Sequence, residues 1–193
     1  YLMLDLFSRK VVGWEVFETE TAECAAQVLR QASLAEGRIL KPLVLHSDNG
    51  SPMKGATMLA TLQKLGIAPS FSRPGVSDDN AQVEAFFRTL KYRPGYPAKG
   101  FQTLEMARDW VQGFARWYNV EHRHSALKFV TPVQRHQGSD IAVLQARKAL
   151  YEQAKAAKPE RWSGATRNWD RPTTVWLNPP PKVAEQGLQE KAA

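Results

Sequence analysis

Cysteine is nearly absent from this sequence: Cys24 is the only one in 193 residues, which excludes a disulfide within the chain and suits a reducing cytoplasm. Cys24 lies among helix formers in "TAECAAQVLRQA" and reads as a small buried thiol. Long apolar runs are missing as well. No stretch approaches the ~20 residues of a membrane span, and no charged-then-apolar leader opens the chain. Acidic residues are scarce in one region only. Residues 86–136 hold nine Lys and Arg against three Asp and Glu, whereas residues 1–85 hold eight against ten and residues 137–193 nine against six. The net charge of +7 is therefore concentrated beyond Glu84. Clustered cations attract a phosphate backbone, so nucleic acid is the partner to consider, beside the plainer reading of a solvated basic face. The remaining composition, 43% hydrophobic and 23% charged, is ordinary for a globular protein.

The order of elements predicts an α/β fold with a mixed sheet. "YLMLDLFSRKVVGWEVFE" reads as an antiparallel hairpin, with strands over 1–7 and 11–17 and a turn at Ser8-Arg9-Lys10. A helix comes next, capped by Thr21 and stopped by Gly37. Leu43-Val44-Leu45, bounded by Pro42 and Asn49-Gly50, reads as a buried strand of a parallel sheet. Met58, Leu59, Leu62 and Leu65 mark a helix over about 55–65, and "APSFSRPG" gives a short strand over 68–73. A helix starts near Ser77, with Asp78 and Asp79 at the positive end of its dipole. Its core face is Val83, Phe86, Phe87 and Leu90. The next helix carries Met106, Trp110, Phe114 and Trp117 as a packing stripe. Beyond residue 137 a further helix leads to Trp162, Trp169 and Trp176, spaced seven apart; these either stack on bases or anchor the extension to its own domain or to a partner subunit. The Pro-rich end after Asn178 is expected to be disordered.

Asp48 and Glu84 are the residues with chemistry to offer. Asp48 ends a strand, where open α/β sheets collect ligand-binding groups, although it also suits an Asx-turn before Gly50. Glu84 shares a helix face with Asn80, Arg88 and Lys91 at i, i+4, i+8 and i+11. It can also serve as a helix ion pair with Arg88. Two carboxylates at one sheet end can hold divalent ions through oxygen ligands, as phosphoryl transfer requires.

"LDLFSRKVVGW", "HSDNGS", "SFSRPGVSDDNAQVEAFFRTLK" and "YNVEHRHSALKFVTPVQ" together resemble the catalytic core of DDE transposases of the retroviral-integrase superfamily, of the bacterial insertion-sequence type. The resemblance covers about residues 1–136 and implies an RNase H-like fold, with 137–193 as a basic, Trp-containing extension. It implies DNA cleavage and strand transfer at transposon ends with two Mg²⁺ ions, or Mn²⁺, held by three acids, of which Asp48 matches the second and Glu84 the third. It also implies that Asn80, Arg88 and Lys91 face the DNA, and that Arg123 and His124 belong to a basic segment that contacts DNA or packs the last helix. A homo-oligomer acting in the bacterial cytoplasm on transposon ends and target DNA is implied too.

The first acid and the first strand precede the "LDLFSR" hairpin in this family, so the chain is expected to be a fragment lacking both. Asp5 stands at a position the family uses structurally. The alternative is a non-catalytic DNA-binding or dimerising remnant; another RNase H-like nuclease fits the four motifs less well.

Overall fold

A two-stranded hairpin with both faces covered organises the molecule. In the computed structural model, which describes residues 1–37 and 42–177, β1 (Leu2–Leu4) and β2 (Val11–Trp14) pair antiparallel with Met3 opposite Gly13. Successive side chains of a strand point to opposite faces. Met3 joins α1 (Ala22–Ala35) and α3 (Ala56–Leu65) in one core, and the register shift between Met3 and Leu4 lets Val12 pack against that same core beside Gly13. Leu2, Leu4, Val11 and Trp14 join Phe86, Leu90, Phe114, Ala115 and Tyr118 in a second core, built on α4 (Ala81–Lys91) and α5 (Leu104–Val120). β1 is shorter than expected because the turn is longer, whereas β2 starts at Val11 as expected and ends early at Trp14. Asp5 Oδ1 accepts from the Ser8 amide at 2.7 Å and from Ser8 Oγ at 2.5 Å, and Arg9 takes a left-handed φ of 61°. Asp5 thus holds the turn, as its position in the hairpin implies.

Thr21 caps α1 by accepting from the Cys24 amide. Gly37, at the end of α1, has φ 59°. The face Ala25, Ala26, Val28, Leu29 and Ala32 is buried. α1 lies close on β2 because Gly13 has no side chain: a Cβ there would stand 2.7 Å from Ala32 Cβ.

β3 (Leu43–Ser47) and β4 (Ile67–Phe71) pair in parallel from Leu43 opposite Ile67 to Ser47 opposite Phe71, with α2 (Ser51–Lys54) and α3 as the crossover. The parallel pairing is as expected; full burial of β3 is not. Leu43 is 42% and Val44 62% exposed, because β3 has a single hydrogen-bonded neighbour. Among the described residues the two strand pairs are separate two-stranded sheets.

Three expected core residues also turn outward, the first being Leu59 on α3, 39% exposed. Phe87 is 41% exposed on α4 and Met106 49% exposed on α5, since Phe86, Phe114 and Trp110 already fill the contact between these helices with edge and stacked ring packing. Asn119 finishes the second layer by using its amide as a strand would. Its Oδ1 accepts from the Val11 amide and its Nδ2 donates to the Val11 carbonyl, both at 2.9 Å.

The C-terminal part anchors itself. α6 (Pro132–Gln137) begins with a capping box between Thr131 and Gln134 and leads to α7 (Asp140–Ala157). Arg135 and Asp140 form a fully buried ion pair at 2.5 Å, and Arg171 returns to Asp140 at 3.0 Å. Trp169 is buried between the Arg147 and Arg167 guanidiniums. Trp162 meets Tyr151 edge-on, and Trp176 is exposed. Anchoring therefore accounts for Trp169 and Trp162. The disorder expected after Asn178 lies outside the described residues.

His136 ties α6 to the hairpin. Ser8 Oγ, which donates to Asp5, lies 3.1 Å from His136 Nδ1, and His136 Nε2 lies 3.0 Å from the Glu36 carboxylate. Lys10 pairs with the same carboxylate at 2.5 Å.

Gly13→Ala is expected to lower stability by about 1–3 kcal/mol through overpacking against Ala32. Ala32→Gly in the same chain should recover part of the loss. Urea unfolding midpoints of the single and double variants test both statements.

Candidate active site

Parallel pairing makes β3 and β4 end on the same side, so the residues beyond each strand are delivered to one edge of the sheet. Asp48 comes directly after Ser47. The chain leaving Phe71 is tied to it: the Ser72 amide donates to the Ser47 carbonyl at 2.9 Å, and Asn49 Nδ2 donates to the Ser72 carbonyl at 2.7 Å. His46 lies between Ser70 Oγ and Ser72 Oγ, at 3.0 and 3.4 Å.

The segment then turns into α4 under a second constraint. Arg73 donates to Asp79 three times: its amide and Nε to Oδ2 at 2.7 and 3.1 Å, and its Nη2 to Oδ1 at 2.9 Å. The Asp79 side chain is only 4% exposed, and the Arg73 contacts lower its carboxyl to about 2. A 3₁₀ turn over Ser77–Asn80 runs straight into α4. The sequence pattern does not reveal this clamp, since six residues separate its partners and Asp79 reads as a dipole residue.

Asp48 and Glu84 are both exposed. Asp48 Oδ1 accepts from the Gly50 amide at 3.0 Å, so the Asx-turn is real and engages one carboxylate oxygen. Glu84, in the first turn of α4, forms no ion pair with Arg88 among the described residues; the Arg88 guanidinium lies over the Tyr92 ring instead, 5.8 Å from its centroid. Asn80 stands at the helix N-cap without using its side chain to cap. Arg88 and Lys91 are exposed in the last turn, where cations also favour the helix dipole.

Arg123 and His124 have other surroundings. Arg123 is exposed. His124 packs edge-on to Tyr118 and beside His122. Its Nδ1 accepts from the Ala126 amide at 3.2 Å. Burial, then the nearby His122 and Arg9, push His124 down to about 4. It is neutral near pH 7 and offers an Nε2–H, not a charge.

Two carboxylates with hard oxygen donors fit Mg²⁺, which takes one or two carboxylates and completes its shell with water and substrate oxygens. Among the described residues, no group of three or more His, Cys, Asp or Glu converges as a metal site.

The family description "Integrase core domain" matches this chain twice, over residues 1–77 and 65–132. The chain is 30% identical over 129 residues to the transposase for insertion sequence element IS904 of Lactococcus lactis, covering 67% of this chain and 51% of that protein. It is 31% identical over 134 residues to transposase InsF for insertion sequence IS3A of Escherichia coli, covering 69% and 46%. It thus spans about half the length of the curated relatives it matches. Among solved structures, the catalytic core domain of BIV integrase superposes with a TM-score of 0.54 at 22% identity, over 73% of this chain and 86% of that one. A simian T-cell lymphotropic virus intasome chain gives 0.52 at 17% identity, over 70% and 46%.

Asp79 has a depressed carboxyl, so its contribution to stability is complete above about pH 4 and is lost as pH falls toward 2. Asp79→Asn should lower the unfolding midpoint at pH 7 and flatten its decline between pH 4.5 and 2. Denaturant titrations at stepped pH check this, and equal slopes for the two chains would show that the clamp contributes nothing.

Proposed function

This chain belongs to the integrase-core family of DDE transposases in the retroviral-integrase superfamily, with the RNase H-like fold of that group, and from that premise we propose that it serves DNA transposition as the catalytic core of an insertion-sequence transposase. The observation that carries the reading is the shared sheet end: Asp48 leaves β3 where the clamped return from β4 opens α4, on which Glu84 sits one turn in.

On this reading Asp48 and Glu84 would hold two Mg²⁺ ions, or Mn²⁺, together with the DNA, and such ions would supply polarisation of the scissile phosphodiester and neutralisation of charge at its oxygens. The protein's own contribution is positional. Arg88 and Lys91 pair with backbone phosphates along the exposed face of α4 and fix the register of the strand without reading its sequence. Asn80, with its side chain free of capping, hydrogen-bonds near the reacting end. Arg123 extends the phosphate contacts, and His124 acts as a neutral donor or as packing.

A third carboxylate completes the set, carried by a strand that lies between β1 and β3 and precedes Tyr1. The separate strand pairs support this, as does the exposed edge at Leu43 and Val44. Residues 1–136 form the core on this account, and 137–193 a self-anchored extension. The partners are transposon ends and target DNA, within a homo-oligomer in the bacterial cytoplasm.

In a chain extended upstream by such a strand with its aspartate, Asp48→Asn and Glu84→Gln should each abolish Mg²⁺-dependent joining of a labelled DNA end while leaving the thermal unfolding midpoint in place. Joining retained in either variant overturns the assignment. DNA binding without joining in the unmodified extended chain would favour the non-catalytic reading.

Arg88→Ala with Lys91→Ala should weaken duplex binding similarly for unrelated sequences. The log–log salt slope should fall by roughly 1 to 2, as two phosphate contacts disappear. Anisotropy titrations over a range of salt concentrations measure both.

A further inference from the structure

Ser72 is the first residue beyond β4, yet β3 and its exit contact it repeatedly. Its amide and its Oγ both donate to the Ser47 carbonyl, at 2.9 and 3.2 Å. Its carbonyl accepts from Asn49 Nδ2 at 2.7 Å, and its Oγ lies 3.4 Å from His46 Nε2. Asp48 is therefore bracketed, because the residue before it and the residue after it are both tied to Ser72.

His46 is the member of this set that also reaches back into the paired strands. It stands opposite Ser70 in the register of β3 and β4, and its Nδ1 is 3.0 Å from Ser70 Oγ. One rigid ring thus joins a residue inside the ladder to a residue past its end, with both nitrogens engaged. The imidazole also stands near the clamp that opens α4: Arg73 foremost, and His46 to a smaller extent, lower the Asp79 carboxyl. If Ser72 shifts, the bracket around Asp48 shifts with it. Groups that meet an ion or a reacting phosphate have to be held within about 0.5 Å.

We propose that His46 is a positioning residue for the carboxylate pair: by tying Ser70 to Ser72 it fixes where Asp48 stands relative to the segment that opens α4 and carries Glu84. The proposal rests on the reading of Asp48 and Glu84 as the site that takes divalent ions, and adds the group that sets their spacing. In this role His46 touches neither ion nor DNA.

The test uses the chain extended upstream by a strand with its aspartate. It reads the Mg²⁺ concentration at half-maximal joining of a labelled DNA end, and Mn²⁺ binding without DNA by electron paramagnetic resonance. His46→Ala should raise both ion midpoints about fivefold or more, a fraction of the ~100-fold that a 1 Å misplacement costs. The joining rate at saturating Mg²⁺ should change far less. Gln carries its terminal amide at the reach of Nε2 and Asn at the reach of Nδ1, so His46→Gln should restore the ion midpoints better than His46→Asn. That order decides the matter where the alanine variant folds poorly. Ser72→Ala should act in the same direction, and the double variant with His46→Ala should fall short of the product of the two effects. A loss confined to the thermal unfolding midpoint, with both ion midpoints unchanged while Asp48→Asn abolishes joining, would overturn the proposal and leave the carboxylate reading intact. Joining and Mn²⁺ binding that survive in Asp48→Asn would overturn both.

Discussion

The burial of one short hairpin on both faces is the constraint on which the other elements depend. A two-stranded hairpin alone is marginal in water. Here its short paired strands separate two cores, with α1 and α3 on one side and α4 and α5 on the other. The edge of β2 at Val11 is met by Asn119 from α5. The turn is held by Asp5 and reached by His136 from α6. Regions far apart in sequence thus converge on residues 1–14, and the closeness of that convergence is set by the missing side chain at Gly13.

The site obeys a different rule. Parallel strands end together, so two chain segments separated by a crossover emerge side by side. The Asn49 and Ser72 contacts hold the two exits in register, and the salt bridge after β4 decides where the next helix starts. The carboxylates themselves make few contacts and lie exposed. Asp48 accepts one backbone hydrogen bond, from the Gly50 amide, and both side chains face solvent.

Much of this is legible in the residues. Two β segments about the turn at Ser8-Arg9-Lys10 reveal the hairpin, Thr21 and Gly37 bound α1, and helical spacing puts Glu84, Arg88 and Lys91 on one stripe of α4, with Asn80 just outside it at the N-cap. The features that escape such reading depend on neighbours that local patterns do not contain. Leu43 and Val44 look buried because apolar runs usually are, yet β3 has a partner on one side only. Phe87 satisfies the periodicity of a core residue, but Phe86 fills that space first. Asn119 gives no sign in sequence that it will bond a strand over a hundred residues away. Charge counts mislead in a similar way: Arg135, Arg147, Arg167 and Arg171 raise the positive total, but the fold uses them on Asp140, backbone carbonyls and aromatic rings.

The link between Arg73 and Asp79 bears on how binding energy is used. It closes a small ring of chain at the point where β4 hands over to α4, so the entropy lost in fixing that junction is part of the folding free energy and is not charged to each encounter with a ligand. Affinity for whatever meets Glu84 is then reduced by little ordering of the protein. A chain with this ring opened could keep every contact residue and still bind more weakly, with the deficit appearing as a more unfavourable binding entropy.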